Sequence, residues 1–163
     1  MLESFLSSFT APTLLTMEIR TLLYTSTFPN AFVEFLERSR SPLKILSLWG
    51  RNSLEAQRRF LSAIPFIEDL TLDCWELRPS PSDSLAFHSN SGLPNVCLCL
   101  KTLTLYSRGN ASAPVGTIAD MILSRWVQPR CLLKLHCLNL TVKEKEILKT
   151  KLRTCIQEGL QFC

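Results

Sequence analysis

Aliphatic residues recur along this chain with a fixed spacing, in which one apolar position is followed three and five residues later by two more. Side chains alternate between the faces of an extended segment, so the last two positions of each copy point the same way, as in a strand with one buried face. The middle residues, at positions 17, 46, 70, 103 and 138, lie 29, 24, 33 and 35 residues apart, which leaves room for a strand and a helix in each interval. The copies are Leu14, Met17 and Ile19; Leu43, Leu46 and Leu48; Ile67, Leu70 and Leu72; Leu100, Leu103 and Leu105; and Leu135, Leu138 and Leu140.

Segments with helical periodicity lie between these copies. Their apolar stripes are formed by Val115, Ile118, Ala119, Ile122 and Trp126; by Leu148, Leu152, Cys155 and Ile156; by Phe32, Phe35 and Leu36; and by Phe60, Leu61 and Ile64. Residues three or four apart share one face of a helix, so each stripe predicts an amphipathic helix packed on a core, with Trp126 buried. Thr141 and Glu144 have the spacing of a capping box and predict the start of the last helix.

Alternating strands and helices predict an α/β fold with about five parallel strands, because crossover helices align successive strands in parallel. One repeat cannot bury its own apolar face, whereas stacked repeats form a continuous core. We therefore predict that residues 1–163 form a single leucine-rich-repeat-like solenoid with helices on its convex side, as a fragment of a longer array. A doubly wound sheet is the alternative, but no glycine-rich turn for a nucleotide is present.

Residues 76–95 interrupt the repeats with a stretch rich in proline and serine. Such a composition is typical of a long surface connection, with a short helix expected around Ser82 to Phe87. The connection could instead form a rim that contributes to binding.

The composition is that of a folded protein, with 46% hydrophobic and 20% charged residues. The net charge of +4 is spread along the chain without a basic run, so we expect no nucleic-acid partner. No apolar stretch approaches the roughly 20 residues that cross a bilayer, so we expect no membrane association. The 7 cysteines are an odd number at uneven spacing, which favours free thiols in a reducing compartment, the cytoplasm or the nucleus.

The sequence offers little that could support catalysis, and we predict that the protein is not an enzyme. A nucleophile would need a base, and the imidazoles available are His88, in the proline-rich connection, and His136, expected on a strand surface. Cys97 and Cys99 are one residue closer together than a zinc knuckle requires, and no second pair follows at zinc-finger spacing. No phosphate-binding loop is present. We predict no cofactor and no metal site.

With the repeats laid out, the chain resembles the C-terminal repeat region of fungal F-box/leucine-rich-repeat proteins. The resemblance is carried by FLERSRSPLKILSL at 35–48, IPFIEDLTL at 64–72, MILSRW at 121–126 and LRTCIQEGL at 152–160. It implies that the repeats bind a target protein, while an F-box would dock to the adaptor of a cullin-type ubiquitin ligase. The segment before Leu14 is too short for an F-box, so we expect the adaptor as a partner only if a missing F-box is restored.

The side chains between and after the paired leucines should form the surface that binds a partner. In each strand they point away from the helices, toward the concave side of a solenoid. Trp49, Asp73 and Tyr106 would lie on neighbouring strands, and two aromatic rings beside a carboxylate are typical of an interface hot spot. The predicted protein-binding face comprises Trp49, Asp73, Tyr106, Thr71, Thr104 and Asn139. Alternatively, Trp49 packs into the loop that follows it and Asp73 only ends its strand.

Two functions remain open from the sequence, and a small enzyme on an α/β sheet is a third and least favoured alternative. The first is a non-catalytic protein-recognition module like the target-binding repeats of F-box ubiquitin-ligase receptors, with an unknown target protein. The second is a structural or regulatory interaction repeat with no ligase link. In either case the first strand would leave an open edge with partly exposed leucines, which predicts self-association of the isolated chain.

Overall fold

The computed structural model describes residues 2–20, 28–49, 54–73, 85–86, 96–106, 115–127 and 132–163. The helices are α1 (Leu2–Ser8), α2 (Phe28–Ser39), α3 (Leu54–Ser62), α4 (Val115–Val127), α5 (Val142–Lys151) and α6 (Arg153–Gln157). The strands are β1 (Thr16–Arg20), β2 (Ile45–Trp49), β3 (Asp69–Asp73), β4 (Thr102–Tyr106), β5 (Lys134–Leu138) and β6 (Gln161–Phe162).

The strands form one sheet in which every neighbouring pair is parallel and the spatial order is the order of the sequence, β1 to β6. The α/β prediction is confirmed. The described part of the sheet has six strands, one more than predicted, because β6 is only two residues long and carries no triplet of its own. The strand order never reverses, so the described sheet lacks the switch point at which doubly wound folds bind their ligands.

Leucines from successive strands lie side by side in register and form the centre of the core. Leu46 pairs with Leu70, Leu70 with Leu103 and Leu103 with Leu135, and all four side chains are 0% exposed. A second row two residues further along contains Leu48, Leu72, Leu105 and Cys137. This face is buried because the helices pack against it, so the spacing of the leucines determines which way each strand faces.

The fifth strand lies three residues earlier than the sequence pattern predicted. Its buried triplet is Leu132, Leu135 and Cys137, whereas Leu138 is 43% exposed and ends the strand. Cys137 takes a buried position because cysteine behaves as a small hydrophobic residue. The prediction was wrong because Leu138 and Leu140 match the same spacing and were assigned to the buried positions instead. Asn139, predicted as a strand residue of the binding face, follows the strand with a φ of 62°.

The start of α5 and the turn after α6 follow from their sequence. The Thr141 hydroxyl accepts a hydrogen bond from the Glu144 backbone N–H, and the Glu144 carboxylate accepts one from the Thr141 backbone N–H, so the predicted capping box is confirmed. Trp126 is buried on α4, as predicted, and its indole N–H donates to the Glu158 carboxylate at 2.8 Å. Gly159, with a φ of 119°, allows the turn from α6 into β6.

A buried arginine attaches helix α4 to the segment that precedes β4. Arg125 is 3% exposed, and its guanidinium donates to the backbone carbonyls of Val96 at 2.6 Å, Cys97 at 3.0 Å and Leu85. Leu85 belongs to the predicted connection 76–95, of which the structure describes only residues 85 and 86, and it is 0% exposed. The connection is therefore fastened to the core at this point, because the guanidinium fork satisfies three carbonyls from two separate parts of the chain.

Replacing this arginine should destabilise the fold strongly. Arg125→Met keeps the apolar stem but leaves the three carbonyls without these donors, and we expect a loss of about 3 kcal/mol in the free energy of unfolding, measured by urea titration. The matched substitution Arg153→Met, on an exposed part of α6, should change stability by less than about 0.5 kcal/mol. Equal losses in the two variants would contradict the assigned role of Arg125.

Salt bridges connect the residues that precede three successive strands. Glu68, before β3, accepts from the ammonium groups of Lys101 at 2.6 Å and Lys44 at 2.8 Å. Hydrogen bonds from Lys101 and then Lys44 lower the pKa of Glu68 from 4.5 to about 2. The backbone carbonyls of Lys44 and Glu68 also accept hydrogen bonds from backbone N–H groups at the start of the next strand. Salt bridges and backbone hydrogen bonds therefore connect the strands at the same point, where each strand begins.

The depressed pKa of Glu68 gives a pH dependence with a definite sign. Its contacts stabilise the folded state above pH 4.5 and lose their effect as the pH falls from 4.5 toward 2, because protonation removes the charge that the lysines bind. We expect Glu68→Gln to lower the unfolding free energy at neutral pH and the difference from wild type to shrink below pH 4.5. Urea titrations over a pH series would measure this. Glu146→Gln, in an exposed pair on α5, is the control and should show a smaller difference.

Candidate functional site

The strand side chains that point away from the leucines form a second surface, here called the open face. Because side chains alternate along each strand, this face takes the first, third and fifth residues of β1 to β5. All of them except Asp73 are half-buried or exposed. They are Thr16, Glu18 and Arg20; Ile45, Ser47 and Trp49; Asp69, Thr71 and Asp73; Thr102, Thr104 and Tyr106; and Lys134, His136 and Leu138.

An aromatic pair crosses one end of the open face. The Trp49 and Tyr106 ring centroids are 5.3 Å apart, with the rings edge to face at 71°. These residues belong to β2 and β4, which lie on either side of β3, two strand spacings or roughly 10 Å apart. The rings therefore lean toward each other over the end of β3, where Asp73 lies beside Tyr106 in the register.

The predicted group of Trp49, Asp73 and Tyr106 is thus brought together, with one correction. Asp73 is only 4% exposed, so its carboxylate lies within the fold and does not form part of the accessible surface. Asp73 is also the last residue of β3, as the alternative interpretation held. The residues that follow Trp49, at positions 50–53, lie outside the described residues, so the structure does not test whether Trp49 packs into that loop.

A guanidinium from the first strand occupies the outer side of the aromatic pair. The Arg20 guanidinium carbon is 5.6 Å from the centre of the Trp49 ring, within the range of a cation–π contact. The same group bonds to the Glu18 carboxylate at 2.5 Å, which fixes its position on β1. The aromatic surface is therefore one that already binds a cationic side chain of the same chain.

The middle of the open face is a row of small polar side chains. Thr71 lies between Ser47 and Thr104 in the register, and Thr104 is followed by His136 on β5. Thr71 and Thr104 are where the sequence placed them. His136 takes the place predicted for Asn139. The sequence pattern would have indicated His136 if Cys137 had been assigned to a buried position, because His136 lies between Leu135 and Cys137.

A half-buried carboxylate lies in the neighbouring row of the open face. Burial raises the pKa of Asp69 above its ordinary value, and the nearby His136 acts in the opposite direction. Asp69 lies beside Thr102, whose other neighbour in the register is Lys134. The open face therefore carries charges of both signs at this end and aromatic rings at the other.

The cysteines considered as metal ligands point in different directions. Cys97 is buried with a φ of 52°, and burial raises the pKa of its thiol to about 12, whereas Cys99 is exposed. Across the residues that the structure describes, no group of three or more His, Cys, Asp or Glu side chains could hold a metal ion. His88 lies outside the described residues. No described helix combines the length and hydropathy required to cross a membrane.

An open groove of about 270 Å³ lies at the C-terminal end of the sheet. We call it the terminal groove, and it is lined by Lys149, Arg153, Ile156, Gln157 and Phe162. Ile156 and Phe162 are partly buried residues that pack against the edge of the core. The groove is therefore apolar at its base and basic at its rim.

Comparison with known proteins gives no match: no family model, no curated protein and no solved structure matches the chain.

The contact between Trp49 and Tyr106 should be measurable as a coupling energy. We expect a double-mutant cycle with Trp49→Ala and Tyr106→Ala to give about 0.5–1.5 kcal/mol of coupling in the unfolding free energy, as for other edge-to-face pairs. Combining Trp49→Ala with Phe66→Ala, whose side chain is 72% exposed outside the strands, is the control. Those two effects should add within about 0.5 kcal/mol. Additivity in the Trp49–Tyr106 cycle would contradict the contact.

Proposed function

We propose that this protein is a non-catalytic recognition module, a leucine-rich-repeat-like solenoid that binds another protein through the open face of its sheet. Parallel strands in sequence order, with helices on the leucine side, support the solenoid because stacked strand–helix repeats produce this arrangement. Sequential order also means that each repeat contacts mainly its neighbours, so the open face can extend from repeat to repeat.

The observation that carries the proposal is the contrast between the two faces of the same strands. On one face the leucine side chains are buried, with exposed fractions at or near 0%. The other presents threonine, serine and histidine beside the rings of Trp49 and Tyr106. Tyrosine and tryptophan supply large contact areas at low entropy cost, and polar side chains around them provide hydrogen bonds to a partner. Protein recognition uses this combination.

The resemblance to F-box/leucine-rich-repeat proteins makes the target-binding role within a ubiquitin ligase the first form of this proposal. The second is an interaction protein without a ligase link. The fate of the bound target in cells distinguishes the two: the first form predicts that loss of this protein lowers ubiquitination of the target, and the second predicts no change. The cullin-ligase adaptor should co-purify only with a chain that carries an F-box.

A reducing compartment, the cytoplasm or the nucleus, is part of the proposal. Cys97, Cys137 and Cys155 are free thiols buried among aliphatic residues, where they act as small hydrophobic side chains. Thiols persist in this form where the surroundings keep cysteine reduced.

A site-specific photo-crosslinker tests which face binds. We expect a crosslinking residue in place of Thr104, at the middle of the open face, to capture one discrete protein in cells. The same residue in place of Thr150, exposed on α5, is the control and should capture none. Adding Trp49→Ala should reduce the Thr104 product by tenfold or more, since an aromatic hot-spot contact contributes about 2 kcal/mol. Equal capture from both positions, or none from Thr104, would contradict the proposal.

A further inference from the structure

The Trp49 ring contacts two different kinds of side chain. From β1, the Arg20 guanidinium carbon lies 5.6 Å from the ring centre, and from β4 the Tyr106 ring meets it edge to face at 5.3 Å. A guanidinium is planar and stacks on aromatic faces, and tryptophan is the aromatic side chain that binds cations most strongly. The position occupied by Arg20 is therefore one that suits an arginine side chain.

Arg20 is held at this position by contacts that exchange easily. Its side chain is 75% exposed, and its second contact is the ion pair with the Glu18 carboxylate, whose side chain is 47% exposed. Ion pairs between exposed side chains contribute little to stability, because water and salt screen them. An arginine supplied by a partner would have to displace only these two surface contacts.

The charges at the same end of the open face favour a cation from outside. Two carboxylates, those of Glu18 and Asp73, lie there with the one guanidinium of Arg20. Asp73 is 4% exposed at the end of β3, so its charge is less screened than one on the surface. This end of the face therefore has an excess of acidic side chains, although the chain as a whole has a net charge of +4.

We propose that the protein bound by the open face presents an arginine here, and that its guanidinium replaces Arg20 on the Trp49 ring and on the Glu18 carboxylate. This contact rests on the proposed function, since it needs a protein bound to the open face. Arg20 covers the ring until the partner arrives. The partner's arginine displaces it because the rest of the interface holds that arginine in place, and arginine is a frequent hot-spot residue in interfaces.

A small peptide tests the arginine site before the partner is known. The probe is acetyl-Gly-Gly-Arg-Gly-Gly-amide, and its control carries citrulline, which has nearly the shape of arginine but no charge. Binding would be followed by NMR as a shift of the Trp49 indole signal, with the indole of Trp126, buried on α4, as internal reference. We expect weak, saturable binding of the arginine peptide and no shift with the citrulline peptide.

Removing Arg20 gives this prediction its sign. Arg20→Ala uncovers the ring and the Glu18 carboxylate, so the arginine peptide should bind at least about threefold more tightly than to the wild type. Arg153→Ala removes the same charge from an exposed position on α6 and should leave the affinity unchanged. Trp49→Leu should abolish binding, with its fold verified by circular dichroism. If it unfolds, a fluorinated tryptophan at position 49 replaces it, because fluorine withdraws electrons from the ring and largely preserves its shape.

The same substitution should act on the partner itself. With the photo-crosslinker in place of Thr104, Arg20→Ala should raise capture of the partner by about threefold, because the partner's arginine no longer competes with Arg20. Arg153→Ala should leave capture unchanged. If Arg20 instead contacts the partner directly, its removal lowers capture.

Several results would overturn the arginine contact while the proposed function stands. They are capture from Thr104 that falls or stays the same in Arg20→Ala, equal shifts by the arginine and citrulline peptides, and no binding of the arginine peptide to the Arg20→Ala chain. No capture from Thr104 in any of these chains would overturn the proposed function, and the arginine contact with it.

Discussion

Leucine packing between neighbouring parallel strands is the interaction on which the rest of this molecule depends. Leu70 is surrounded because β2 supplies Leu46 on one side and β4 supplies Leu103 on the other. No strand and helix pair could bury these side chains alone, so the stability of each strand and its helix comes from the neighbouring strands and helices. Packing of the apolar rows aligns the starts of neighbouring strands, and this alignment brings Glu68 within reach of both Lys44 and Lys101.

The same alternation that buries the leucines also creates the candidate site. Once Leu48 and Leu105 face the helices, Trp49 and Tyr106 must face the other way, and the parallel register brings them close enough for their rings to touch. The site is therefore built on rigid strands and not on loops. A partner would meet a surface whose side chains are already positioned, which reduces the entropy lost on binding.

The sequence predicted the fold well where the signal was periodic and hydrophobic. Strands β1 to β4, the capping box at Thr141 and the burial of Trp126 all follow from spacing alone. The sequence pattern misplaced β5, where a cysteine occupies a position that is leucine in the other strands. It also missed β6, which is too short to show a hydrophobic pattern. Spacing also could not show that Asp73 is buried or that Arg125 binds the Leu85 carbonyl, because both depend on which distant residues pack above them.

The burial of two thiols has a practical consequence for chemistry on this protein. Burial raises the pKa of the Cys97 and Cys137 thiols to about 12, so both stay protonated at neutral pH, whereas alkylating reagents attack the thiolate. Cys99 and Cys163 are exposed. Of the cysteines that the structure describes, these two are therefore the natural attachment points for a fluorophore or a spin label. They lie just before β4 and just after β6, so a pair of labels would report the distance between β4 and β6.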